Sequence, residues 1–232
     1  MSLVKYGAGI VQMSGSIAGN TFARNRYGNY VRSRTKPVNP NSSLQQVARA
    51  AIAFLTDRWS NTLTAVQRAA WNQYAGNVAM KNRLGETVYM TGFNHYIRSN
   101  AILIQNSIAP VDAGPTVFEL PEQDPQFAIT ASEATQVVSA AYDNTLDWAD
   151  ETGAYLFVYQ GTSQNKQRNF FGGPWRYMDK EAGVTGTPPT SPIAGAAVFP
   201  FVEEQRLWAY ARIARADGRL SNAFTADCFC AA

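Results

Sequence analysis

The chain has 232 residues, 46% hydrophobic and 16% charged, a globular composition with room for one large cored domain or two small ones, and not that of a disordered chain. No run of eighteen apolar residues occurs, which excludes a membrane-spanning helix. The net charge of +3 is unevenly placed: Met1 to Thr56 holds seven basic residues and no Asp or Glu, leaving 13 of the 20 basic residues against all 17 acidic ones, a net of −4. A basic front and a mildly acidic rear point to head-to-tail contacts between copies, or to an anionic partner at the front. The opening MSLVKYGAGIVQ has neither the apolar core nor the cleavage site of a secretory leader, so export by that route is not expected.

Residues 1–39 read as an extended arm or small β-meander. Gly19-Asn20 and Gly28-Asn29 lie between runs rich in Ile, Thr, Phe, Tyr and Val, which is hairpin chemistry. The apolar residues are too dispersed to make a core. Arg24, Arg26, Tyr27, Tyr30, Arg32, Arg34 and Lys36 are the candidate assembly contacts. Two registers are open. A two-residue turn at Gly28-Asn29 sets Tyr27 opposite Tyr30 and splits the arginines between the two faces, which suits an intersubunit strand. A three-residue loop at Tyr27 to Asn29 sets Arg24 opposite Arg32 and gathers the arginines on one face, which suits nucleic acid or an acidic partner.

Residues 40–112 read as a small helical domain. In the first helix Val47, Ala51, Phe54, Leu55 and Trp59 recur at helical spacing. Thr64 followed by Gln67 is a capping-box pattern opening a second helix, with the stripe Val66, Ala70, Trp71 and Tyr74 and an end at Gly76. VAMKNRLGETVYM reads as a hairpin around Leu84-Gly85. A third helix starts at Thr91 with Phe93, Ile97, Ala101, Ile104 and Ile108 on one face. Trp59 and Trp71 are expected to hold the helices together.

Residues 113–232 alternate in short runs, VFEL, FAITAS, TQVVSAAYDN, AYLFVYQG, WRYM, AAVFPFV, RLWAYARIAR and NAFTADCFC, with turn residues between them. Seven or eight such strands suit an antiparallel β-sandwich. RLWAYARIARADGRLSNAF, with its Ala-Asp-Gly-Arg turn, resembles the last hairpin of fibronectin type III-like domains. The expected fold class is therefore α+β: an arm of β-hairpins, a small helical domain and a sandwich of the immunoglobulin or fibronectin III kind.

Chemistry-bearing motifs are sparse. His95 is the single histidine and sits beside the stripe of the third helix, with no motif supplying a nucleophile or carboxylate partner. GAGIVQ lacks the preceding strand and following helix of a dinucleotide site. Asp147, Asp150 and Glu151 lack calcium-loop spacing. Cys228 and Cys230 would share one face of a strand, where they cannot bridge each other. Asn41-Ser42-Ser43 fits a glycosylation sequon with no sign of secretion. No catalytic residue, cofactor or metal is expected. Around FFGGPWRYM, the rings Tyr159, Phe170, Phe171, Trp175 and Tyr177 read either as a glycan or partner platform or as a buried aromatic corner.

Three motifs stand together: RTKPVNP at Arg34 to Pro40, LTAVQRAAW at Leu63 to Trp71, and GFNHYIRSN at Gly92 to Asn100. With the Gly/Arg-rich start, this succession over about residues 7 to 105 resembles a group of tailed-bacteriophage proteins, mostly of unknown function. The resemblance implies a non-enzymatic virion structural protein, assembled in the host cytoplasm. Its arm would dock onto or between capsid subunits, as in a decoration or minor head protein, and its immunoglobulin-like domain would face outward. Its partners would be other virion proteins and copies of itself, with no membrane. Alternatives are a neck or tail component, a nucleic-acid-binding protein using the arm, or a module binding surface glycans through the sandwich.

Overall fold

The computed structural model describes every residue except 1, 26, 27, 37 and 82–86. It has two compact units, Met1–Gln45 and Gln46–Ala232. The first unit is one four-stranded antiparallel sheet. β1 (Ser2–Leu3), β2 (Gly15–Ile17), β3 (Asn20–Asn25) and β4 (Gly28–Ser33) run in the order β1-β4-β3-β2. Neither Gly-Asn pair forms the turn expected of it. Ile17 pairs with Asn20, so the first turn is Ala18-Gly19, with Ala18 in the left-handed region at φ 50°. Asn25 pairs with Gly28, so Gly28 and Asn29 belong to a strand. Among the described residues of this unit none is buried. The sheet is held by its ladder.

The helix α1 (Ser43–Asp57), which belongs to the second unit from Gln46 on, runs on into a single π turn at Arg58–Thr62. Of its expected stripe, Ala51 and Leu55 are buried, whereas Val47 and Phe54 are exposed. They lie on a flank turned away from the core line. α2 (Ala65–Asn77) opens on the expected capping box: Thr64 Oγ1 accepts from Gln67 N at 3.2 Å, and Gln67 Oε1 accepts from Thr64 N at 2.8 Å. It runs one residue beyond Gly76, and Val66 is 78% exposed. A short pair, β5 (Met80–Lys81) and β6 (Thr87–Val88), follows; the expected turn at Leu84-Gly85 lies outside the described residues. α3 (Gly92–Gln105) is capped by Thr91. Its buried residues include His95, Tyr96, Ser99, Asn100, Ile102 and Leu103, because it is covered on two sides and not on the single stripe expected.

The rest is a sandwich. β7 (Ala128–Ser132), β8 (Val137–Ala141) and β11 (Ile193–Ala196) form one sheet in the order β11-β8-β7. β9 (Tyr155–Gly161), β10 (Trp175–Ala182), β12 (Arg206–Ala214) and β13 (Phe224–Phe229) form the other, in the order β10-β9-β12-β13. Three strands taken first, second and fifth, facing four taken fourth, third, sixth and seventh, make the fibronectin type III arrangement. Ile129, Ala140 and Ile193 of the smaller sheet meet Leu156, Val158, Ala209, Ala211 and Ile213 of the larger. Two expected strands are not strands. VFEL is irregular. AAVFPFV holds only the end of β11, because two glutamine side chains occupy the backbone beyond it: Gln160 accepts from Val198 N at 2.6 Å and donates to Phe199 O at 2.8 Å, and Gln136 donates to Phe201 O at 2.8 Å. Among the described residues no helix is long and apolar enough to cross a membrane.

The helices and the sandwich belong to one unit, so the expected boundary at 112/113 does not separate two domains. Ile102 and Leu103 of α3 cover Phe157, Ala214 and Leu220 on the outer face of the four-stranded sheet. That cover explains why β9 and β12 are buried on both faces over much of their length.

Candidate functional site

Three features of the structure bear on function: the basic layer, a joint built by two of the sequence motifs, and an aromatic face on the sandwich.

In the basic layer, Arg24 pairs with Asn29, and Arg32 with Thr21. Neither register foreseen from the sequence occurs. Because side chains alternate along a strand, Arg24 shares a face with Phe22 and Val31, while Arg32 shares the opposite face with Tyr30. The arginines are therefore split, and the one-faced cluster is excluded for this pair. Arg24, Arg32, Arg34 and Lys36 are exposed and Tyr30 is half-buried; Arg26 and Tyr27 lie outside the described residues. No carboxylate exists in this unit to neutralise them.

The joint centres on Asp112. Arg58 clamps it with both prongs, Nε to Oδ1 at 2.7 Å and Nη2 to Oδ2 at 2.5 Å, and Tyr96 donates to Oδ1 at 3.1 Å. The hydrogen bond to Asp112 raises the Arg58 pKa. Burial, with the Asp112 charge behind it, raises that of Tyr96. Trp71 Nε1 donates to Asp112 O at 3.0 Å. Asn100 accepts from Val111 N at 2.6 Å and donates to Val111 O at 3.2 Å. Arg98 donates to Leu220 O at 2.6 Å and Ser221 O at 2.8 Å. Trp71, Tyr96, Arg98 and Asn100 are the motif positions of LTAVQRAAW and GFNHYIRSN. Gly92 belongs with them: a Cβ there would sit 2.6 Å from Asn72 N, so only glycine lets α3 start against α2. Trp59 and Trp71 both ring Tyr96, at 5.4 and 5.5 Å between centroids, as expected of residues that hold the helices together. These motifs are therefore the bolts between helices, linker and sandwich.

His95 is fully buried, edge-on to Tyr74 at 5.2 Å, and neither ring nitrogen has a hydrogen-bond partner. Burial first, and then the charge of Arg98, lowers its pKa to about 4, so the ring is neutral near pH 7. With no hydroxyl, thiol or carboxylate in hydrogen-bond reach, it has no partner for proton transfer.

The aromatic face lies on the outer side of the four-stranded sheet, beside the part that α3 covers. The ladder places Tyr177, Tyr159 and Tyr210 in register across β10, β9 and β12. Tyr159 and Tyr210 stack at 4.6 Å, 2° from parallel. Tyr177 meets Tyr159 edge-on at 5.8 Å, and Trp175 meets Tyr210 edge-on at 5.0 Å. Phe171 lies over Gly161 and against Trp175 at 4.8 Å and Trp208 at 5.7 Å. Four of the five expected platform rings thus come together. Phe170 does not join them and stands 76% exposed. Phe171 is buried, while Tyr159, Trp175 and Tyr210 are half-buried. The sequence reading missed Trp208 and Tyr210, whose place in the row depends on which strands are neighbours. Arg206 adds a guanidinium over Trp208 at 5.1 Å and is itself paired with Asp227 at 2.7 Å.

A polar pocket of about 580 Å³ lies between residues 117–122 and 145–148. Its guanidinium groups are already engaged, Arg215 with Glu151 and Asp147, and Arg219 with Asp217.

No family model matches this chain, and no curated protein does. Among solved structures, the adhesin domain of Epf from Streptococcus pyogenes is similar at 9% identity and a TM-score of 0.29, over 48% of this chain and 32% of that one. The matched region spans about a third of that chain.

Proposed function

We propose that this is a non-enzymatic structural protein of a tailed-phage virion, in which residues 1–45 dock on an acidic surface of a neighbouring subunit. One observation carries the reading: that unit is a single sheet with no buried residue among those described, exposing Lys5, Arg24, Arg32, Arg34 and Lys36 with no acidic residue of its own. A sheet one layer thick buries too little apolar surface to be stable by itself and is completed by a partner on its faces. The second unit, with its net acidic composition, offers such a surface on another copy, and acidic capsid subunits offer another. Decoration or minor head protein is the reading favoured over a neck or tail component.

The test is incorporation into particles. Full-length protein carrying Arg24→Glu, Arg32→Glu and Arg34→Glu folds with an unchanged melting temperature but is missing from purified particles. Normal incorporation of that variant overturns the proposal. A nucleic-acid role for the same layer predicts instead DNA affinity that falls by about 0.9 log per log of salt for each phosphate contacted.

A further inference from the structure

We propose that the outer face of the four-stranded sheet binds an acidic saccharide, with its hydroxyls on the tyrosine row and its carboxylate on Arg212. The unexplained group here is Arg212. It lies on β12 two residues beyond Tyr210, hence on the same face and about 6.6 Å further along the strand. It pairs across the ladder with Phe157. Its Nε is buried with no hydrogen-bond acceptor, and among the described residues the guanidinium makes no ion pair. The carboxylates on the neighbouring turns and strand are committed elsewhere, Asp217 to Arg219 and Asp227 to Arg206.

A second cation crowds it. Arg98 has its donors on the Leu220 and Ser221 carbonyls and no carboxylate partner among the described residues. Burial, followed by the charge of Arg212, lowers the Arg98 pKa to about 10. A guanidinium does not shed its proton in a protein, and a buried donor left without an acceptor is costly. Two neighbouring cations without a carboxylate partner call for an anion from outside the chain, met by the outer nitrogens of the Arg212 guanidinium, since Nε itself is closed to solvent. The fork of an arginine matches the two oxygens of a carboxylate.

The ring row sets the rest of the ligand. Tyr159 and Tyr210 already close on each other face to face, so no free ring face lies between them for a base to slot into. The Tyr159 hydroxyl is bonded to Asn106, so the phenol tips left open are those of its two neighbours in the row. The hydroxyls of Tyr177 and Tyr210 have no protein partner among the described residues, and the Trp175 ring stands edge-on beside them. A row of hydroxyls over an apolar base next to a fixed cation suits a ligand rich in hydroxyl groups that carries one carboxylate per ring. A bare phosphate would use the arginine and leave the row without contact.

The experiment titrates the full-length protein with an oligogalacturonate, with its methyl-esterified neutral counterpart and with inorganic phosphate, by calorimetry at fixed salt. The expected result is binding of the oligogalacturonate at least tenfold tighter than either of the others. Arg212→Gln removes that tenfold preference, equivalent to about 1.4 kcal/mol. Tyr210→Phe, which keeps the stack and deletes one hydroxyl, weakens acidic and neutral sugars alike by a few-fold. If Arg212→Gln does not fold, Arg212→Lys is read instead: it keeps the charge and loses the fork, so weakened binding at an unchanged melting temperature supports the site and unchanged binding overturns it. Because the basic layer also attracts polyanions, the preference must survive Arg24→Ala with Arg32→Ala and Arg34→Ala; its loss there, or phosphate binding as tight as the sugar, overturns the proposal. Since those arm variants test the docking reading separately, either idea fails without the other.

Discussion

The basic layer and the Asp112 joint are opposite answers to the same problem of polar residues. In the layer, cations stand on two faces of a thin sheet with no acid to meet them and no core beneath. Around Asp112 the charged and polar groups are matched: Asp112 accepts from Arg58 and Tyr96, Asn100 answers both backbone groups of Val111, and Arg98 caps two carbonyls of the sandwich. The contrast teaches where each region's free energy lies. Buried and paired groups define the fold of their own chain; exposed unpaired ones are available to something else.

Four experiments would break or sharpen that contrast. The largest effect should come from Trp71→Ala, which empties a fully buried site and orphans the carbonyl of Asp112; destabilisation of about 3–5 kcal/mol in denaturant titration is expected. A loss under 1 kcal/mol would show that the joint does not organise the unit. Next is acidification. His95 has a folded pKa near 4 against 6.5 when unfolded, so below 6.5 the unfolded chain holds the extra proton. Its contribution is complete above pH 6.5 and is lost as pH falls toward 4, by at most about 3 kcal/mol. His95→Phe should flatten that part of the stability–pH curve, and an unflattened curve would assign the acid sensitivity elsewhere. Asp112→Ala leaves Arg58 and Tyr96 without their acceptor at a partly buried site, for about 2 kcal/mol in the same titration. Smallest of all, Arg32→Ala in the layer should move stability by no more than about 0.5 kcal/mol. A large drop would mean that this arginine serves its own fold and would remove it from the docking surface.

Local chemistry was the legible part of the sequence. The Thr64 capping box, the Thr91 start of α3 and most sandwich strands depend on neighbours within a few residues, and they stand where expected. What depended on distant partners was not legible. The flank of α1 bearing Val47 and Phe54 has the same spacing as a core stripe, and only the placement of α2 and α3 decides that Ala51 and Leu55 go inside. Gly-Asn marks a turn without fixing its register: the ladder sets the first turn one residue earlier, at Ala18-Gly19, and takes Gly28 and Asn29 into a strand. Of the candidate sites, the rings Tyr159, Trp175 and Tyr177 could be picked from local clustering. Tyr210 and Arg212 could not, because their company is set by β12 lying beside β9, about fifty residues away in the chain.

The cover that α3 lays over Phe157, Ala214 and Leu220 has a practical corollary. A sandwich cut free at the linker would carry a bare oily patch on its outer sheet, together with two carbonyls stripped of Arg98, and would be expected to clump and not to serve as a portable building block. Anyone transplanting this domain onto another scaffold, or tracing it through shuffled genes, should treat residues 46–232 as the smallest piece that travels intact.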